Sequence, residues 1–90
     1  MSNRGERIRD QLTAAFAPTA LAVRDDSALH DGHAGNPDGA GETHYMVTMT
    51  AAAFAGQSRV ARSRLVHDAL AAEFATGLHA LALKLSAPGE

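Results

Sequence analysis

The chain has 90 residues, with eight Lys/Arg against ten Asp/Glu and a formal net charge of −2, which makes one small domain near the lower end of what folds alone. That charge argues against nucleic-acid binding through bulk electrostatics and leaves only a local basic face for it, while the lack of cysteine excludes disulfides, thiol catalysis and an all-cysteine metal site built by this chain alone. No apolar run approaches the ~20 residues of a membrane-spanning helix, and the opening Met-Ser-Asn-Arg-Gly-Glu-Arg is not a signal peptide, so the expected location is cytoplasmic.

Asn3 followed by Glu6 resembles a capping box. Beyond it Ile8, Leu12, Ala15 and Phe16 recur at helical spacing, and Pro18 disfavours helical geometry in the residue before it. These signals predict a first helix over about Asn3 to Ala17. Leu21 to Asp25 alternates as a short strand with Leu21 and Val23 inward. Residues 26–42 hold four glycines, a proline, His30 and His33. This is the composition of a long mobile loop, and a structureless connection of such length is unusual in a small domain and often functional.

Thr43 to Thr50 returns to strand character, with Tyr45, Val47 and Met49 on one face and His44, Met46 and Thr48 on the other. With the first strand it predicts a long-looped antiparallel hairpin. Ala51 to Phe54 predicts a helical turn before Gly56. Ser58 can cap the main helix by accepting a hydrogen bond from a first-turn amide, and Gly77 can end it, so one helix is expected over Arg59 to Thr76. It would bury Leu65, Val66, Ala69, Leu70 and Phe74, with at most the stem of Glu73.

From Leu78 to Leu85 the pattern alternates again, with His79, Leu81, Leu83 and Leu85 sharing one face of a strand. Residues 87–90, like 1–4, are expected to fray. The order helix, strand, strand, turn, helix, strand implies a single α+β domain with two helices on one face of a three-stranded sheet.

Five histidines are the richest chemical resource here, because imidazole nitrogen is a common ligand for zinc, iron and copper. His79, at the mouth of the last strand, reads equally as a packed residue bonded to a nearby carbonyl or as a ligand. His30 and His33 are solvated loop residues or ligands that the loop swings toward a shared centre. His44 reads as structural and His67 as a surface residue of the main helix. Asp25-Asp26-Ser27 lacks the context of a nucleophile elbow and forms turns as readily, and the loop glycines follow no phosphate-binding spacing. No enzymatic activity is expected.

Arg59, Arg62 and Arg64 crowd the start of the main helix, where the helix dipole disfavours cations. They are either a solvated face or, with the turn before them, a surface resembling a helix-turn-helix reader.

Taken together, Asp26-Ser27 with His30, Gly41-Glu42-Thr43-His44-Tyr45, Phe54-x-Gly56-x-Ser58, Arg62-x-Arg64-Leu65-Val66-x-x-Ala69-Leu70 and His79-Ala80-Leu81 resemble the BolA family from Ile8 to Pro88. The family's usual Arg-His-Arg is here Arg62-Ser63-Arg64, which weakens any role for the middle position. The resemblance implies a fold like the second class of KH domain without its nucleic-acid-gripping Gly-x-x-Gly loop. It also implies partnership with a monothiol glutaredoxin around a shared [2Fe–2S] cluster, in cluster assembly, trafficking or iron sensing. In that arrangement glutaredoxin supplies its cysteine and a bound glutathione thiolate. This chain supplies His79 and, from the loop, His30, with His33 as the alternative; no cofactor is implied for the chain alone. Members of the family are also regarded as transcription regulators, which would place DNA on Ser58, Arg59, Arg62 and Arg64. A third reading is an adaptor that binds glutaredoxin without a cluster. Alone, the chain is expected to be a monomer or weak homodimer.

Overall fold

A computed structural model describes residues 3–26 and 44–90. Helix α1 spans Arg4–Phe16, strand β1 Ala20–Asp25 and strand β2 His44–Thr50; a 3-10 turn follows at Ala52–Phe54, then α2 at Arg59–Ala69, α3 at Ala71–Ala75 and β3 at Ala80–Ser86. The α+β order expected from periodicity is present, and the caps lie where the residue types place them. Asn3 Oδ1 accepts from the Glu6 amide at 2.9 Å and Ser58 Oγ from the Ala61 amide at 3.1 Å, each satisfying one of the donors a helix start leaves over.

The sheet order is β1-β2-β3. β1 and β2 form the predicted antiparallel pair, with Val23 opposite Val47. β3 runs parallel to β2, with His44 opposite Ala80 and Val47 opposite Leu83. A parallel neighbour requires a crossover, and the turn plus α2 and α3 provide it. Tyr45, Val47 and Met49 of β2 are buried with Ile8, Leu12, Phe54, Val66 and Leu70 in one core, against which Leu21, Val23, Leu81, Leu83 and Leu85 pack. The rings of Phe16 and Phe54 lie 5.3 Å apart within it.

Four details differ from the sequence reading. The single helix expected over Arg59 to Thr76 is broken at Leu70, whose backbone sits at φ −104°, ψ 15° between α2 and α3; its amide is shared between Val66 O at 3.1 Å and His67 O at 3.2 Å. Beyond the break Glu73 lies wholly in the interior at 4% exposure, while Leu65 is 38% exposed. Glu73 turns inward because it finds partners there. Arg4 Nη1 donates to its Oε1 at 2.8 Å, Arg7 donates to both carboxylate oxygens at 3.1–3.2 Å, and Gln11 donates to Oε2 at 2.8 Å.

The segment 87–90, expected to fray, folds into a turn in which Ala87 is buried and Glu90 accepts from the Ala87 amide at 2.9 Å. Finally, β3 begins at Ala80 rather than Leu78. Leu78 is buried and Leu81 half-buried, so His79 and Ala80 between them are both exposed and His79 does not join the core-facing row of leucines.

Candidate functional site

Two local structures hold the backbone of His79. On one side Gly77 adopts φ +130°, a region L side chains rarely enter, and the Leu78 amide donates to Glu73 O at 2.9 Å while its side chain is buried. On the other side Ala80 enters the ladder with β2, opposite His44. His44 is held in the same way: Tyr45 after it is buried, and its carbonyl accepts from the Asp26 amide at 2.8 Å. Parallel neighbours stand about 4.8 Å apart, so both imidazoles come to one end of the sheet. Their ring centroids are 5.4 Å apart with planes inclined at 51°; His44 is half-buried and His79 exposed.

The sequence reads His44 as structural, and it is the residue the fold brings to His79. The missing signal was strand direction: alternation shows that both segments are strands but not that they run parallel from adjacent starts. His30 and His33 lie outside the described residues. Among the described residues no group of three or more His, Asp or Glu is placed to hold a metal ion, so a metal at this end would take its remaining ligands from elsewhere. In the Asp25-Asp26-Ser27 run, Asp26 is bound through both carboxylate oxygens to Arg24 at 2.6 and 3.0 Å, and Ser27 lies outside the described residues. His67 is on the surface as expected, its Nδ1 2.8 Å from Ser63 O and its ring stacked on Phe74 at 5.3 Å.

The basic surface is separate. A groove of about 670 Å³ runs between the start of α2 and β3, lined by Arg59, Arg62, Ser63, Leu83 and Lys84 among others. Ser58 spends its hydroxyl on the helix cap; Arg59 and Arg64 are exposed. Arg62 is held. Its Nη1 and Nη2 donate to the two carboxylate oxygens of Glu90 at 2.7 and 2.6 Å, and its Nε donates to Gln57 O at 3.0 Å. The Arg62 hydrogen bond, helped by the Ala87 amide, pulls the Glu90 carboxyl down to about 2, and the same contact raises Arg62 above the usual arginine value.

Residues 12–90 match the model of the family described as BolA-like protein. The chain is 48% identical over 85 residues to an uncharacterized protein in the cobS 5′ region of Sinorhizobium sp, covering 94% of this chain and 91% of that one. It is 40% identical over 78 residues to the DNA-binding transcriptional regulator BolA of Escherichia coli (strain K12), covering 87% of this chain and 70% of the relative. Against SufE-like protein 1 of Arabidopsis thaliana the identity is 41% over all of this chain, which spans only a quarter (25%) of that relative. The solved BolA domain of that Arabidopsis protein superposes with a TM-score of 0.87 at 40% identity, covering 98% of this chain and 95% of the domain. No helix among the described residues is long and apolar enough to cross a membrane. A core built from α1, the β1–β2 hairpin and the parallel third strand, with sequence matches along nearly its whole length, shows that this chain belongs to the BolA family.

Proposed function

We propose that this chain pairs with a monothiol glutaredoxin and supplies the nitrogen side of a [2Fe–2S] cluster shared between them, in cluster assembly, trafficking or iron sensing. The observation that carries this reading is an exposed His79 on a firmly held backbone at the end of the sheet, beside a second imidazole. The residues fit half of such a site. A chain without cysteine can contribute to an iron only through other donors, and histidines replace two thiolates on one iron of Rieske centres. The cluster's chemistry when bound would be electron or cluster transfer, with the glutaredoxin cysteine and a glutathione thiolate on the far iron. His79 is the fixed ligand, and His30 of the loop, or His33 in its place, is the second. Both must bind as neutral imidazole, so protons compete with the metal. In the complex purified with a monothiol glutaredoxin, His79→Ala combined with His30→Ala abolishes the absorption and circular dichroism of the mixed cluster; an unchanged spectrum in the double variant refutes the reading.

A second reading has its own observation, the basic groove at the start of α2 together with a relative named as a DNA-binding transcriptional regulator. There Ser58, Arg59, Arg62 and Arg64 would meet phosphates. Duplex affinity should then fall steeply with salt and weaken on Arg62→Ala, and a duplex that fails to bind at low salt removes it.

A further inference from the structure

His44 has no part in the ligand set above, yet its ring is the neighbour of His79. We propose that His44 and His79 form a two-nitrogen site for a borderline divalent cation of the zinc class, carried by this chain alone before any partner arrives.

The distance supports one shared ion. With metal–nitrogen bonds of about 2.0–2.1 Å and tetrahedral angles, two imidazoles on one zinc have ring centroids roughly 5–5.5 Å apart. The observed separation is 5.4 Å, at a tilt of 51°. Two rings merely packed together also fall in the range of about 4.5–7 Å, so distance alone does not separate packing from ligation. Two further features favour a ligand pair. His79 is an exposed residue and His44 a half-buried one, which gives an ion a route in from solvent. Both backbones are also fixed by buried neighbours, Tyr45 and Leu78, and by the register that sets His44 opposite Ala80. Side-chain rotation is what remains for an ion to order, and a preorganised backbone of this kind helps to turn two weak donors into one bidentate site. Nitrogen donors suit zinc, nickel, cobalt and copper better than magnesium or calcium, which take oxygen.

The test uses the untagged chain with no glutaredoxin and no iron, so its failure leaves the cluster reading standing, and loss of the cluster reading leaves this site untouched. Zinc is titrated by calorimetry, and the imidazole carbon-bound protons are followed by NMR. The expected result is one zinc per chain, with the His44 and His79 signals moving together. His44→Gln and His79→Gln, each first shown by circular dichroism to keep the fold, should each weaken zinc at least tenfold. His30→Ala, His33→Ala and His67→Ala should each leave it within twofold, and magnesium should move neither ring. Zinc binding that survives His44→Gln, or that is lost with a loop histidine while His44→Gln is silent, overturns the proposal.

Discussion

Replacing Glu73 by Gln tests the account of the interior most sharply, because it keeps the side chain's volume and changes only its chemistry. The carboxylate is 4% exposed and accepts from Arg4, Arg7 and Gln11 at 2.8–3.2 Å. Glutamine removes the charge and puts a donor where these donors converge. Breaking a buried ion pair from one side costs about 3–5 kcal/mol. Here the figure is discounted to about 2–3 kcal/mol, because Arg7 is 39% exposed and Arg4 keeps the carbonyls of Glu73 and Thr76 and the Thr76 hydroxyl at 3.0–3.1 Å. For a domain of this size each kcal/mol moves Tm by roughly 4–8 °C, so urea and thermal unfolding both resolve the change.

The pH dependence gives a second readout of the same variant. Burial alone would push the Glu73 carboxyl up, but hydrogen bonds from Arg7 and Gln11 and the charges of Arg7 and Arg4 hold it below the usual value. A carboxyl lowered by folding contributes stability that is complete above its unfolded value, about 4.3, and is lost as pH falls through the folded one. Glu73→Gln should therefore flatten the acid limb of the stability profile below about pH 4.3. A loss under about 1 kcal/mol at pH 7 with an unchanged acid limb refutes the reasoning.

Three further outcomes are expected. Phe54→Ala, at a fully buried position packed on Phe16, should cost about 3–5 kcal/mol in urea unfolding; a value below ~1.5 kcal/mol would show that the site collapses around the gap. Ser58→Ala should lose about 1 kcal/mol by removing the cap on Ala61, with Ser58→Asp restoring most of it, and no loss in the alanine variant would mean that solvent caps the helix equally well. In a carbon-13 titration the Glu90 carboxyl should show its midpoint at about 2 and return toward about 4.3 in Arg62→Ala. Because this carboxyl too is lowered, its contact with Arg62 persists above its folded value and opens only as pH falls through it; an ordinary midpoint in the unsubstituted chain refutes the pairing.

Local pattern revealed most of this fold. The caps at Asn3 and Ser58, the alternation of Tyr45, Val47 and Met49 and the turn before Gly56 are short-range signals, and each appears in place. Long-range chemistry was hidden. Glu73 on a helix reads as solvated until Arg4, 69 residues away, is known to meet it. The break at Leu70 carries no glycine or proline to announce it. Likewise Glu90 looks like tail until Arg62 closes on it, and this contact bears on the nucleic-acid reading: a phosphate reaching Arg62 must displace a carboxylate already bound through both oxygens. At the candidate site, His79 was legible as a strand-mouth histidine, but its neighbour was not, because His44 becomes adjacent only through the parallel pairing of β2 with β3.

The buried network and the histidine pair are connected through one turn. Arg4 donates to Glu73 O, Thr76 O and Thr76 Oγ1, the acceptors that close α3 immediately before Gly77 and His79. A Cβ on Gly77 would stand 3.0 Å from Arg4 Nη2, at φ +130°. Gly77→Ala therefore forces the guanidinium or the turn to move, at a cost on the order of 1–3 kcal/mol, and the displacement reaches His79 two residues on. Helix α1 thus helps to set where His79 stands, through Arg4 and the turn it holds. Gly77→Ala should consequently weaken zinc on the His44–His79 pair even where the chain remains fully folded, whereas Phe54→Ala under equally folding conditions should not. If the two variants weaken zinc equally, general loosening explains the effect; if Gly77→Ala alone does so, the turn held by Arg4 positions the histidine.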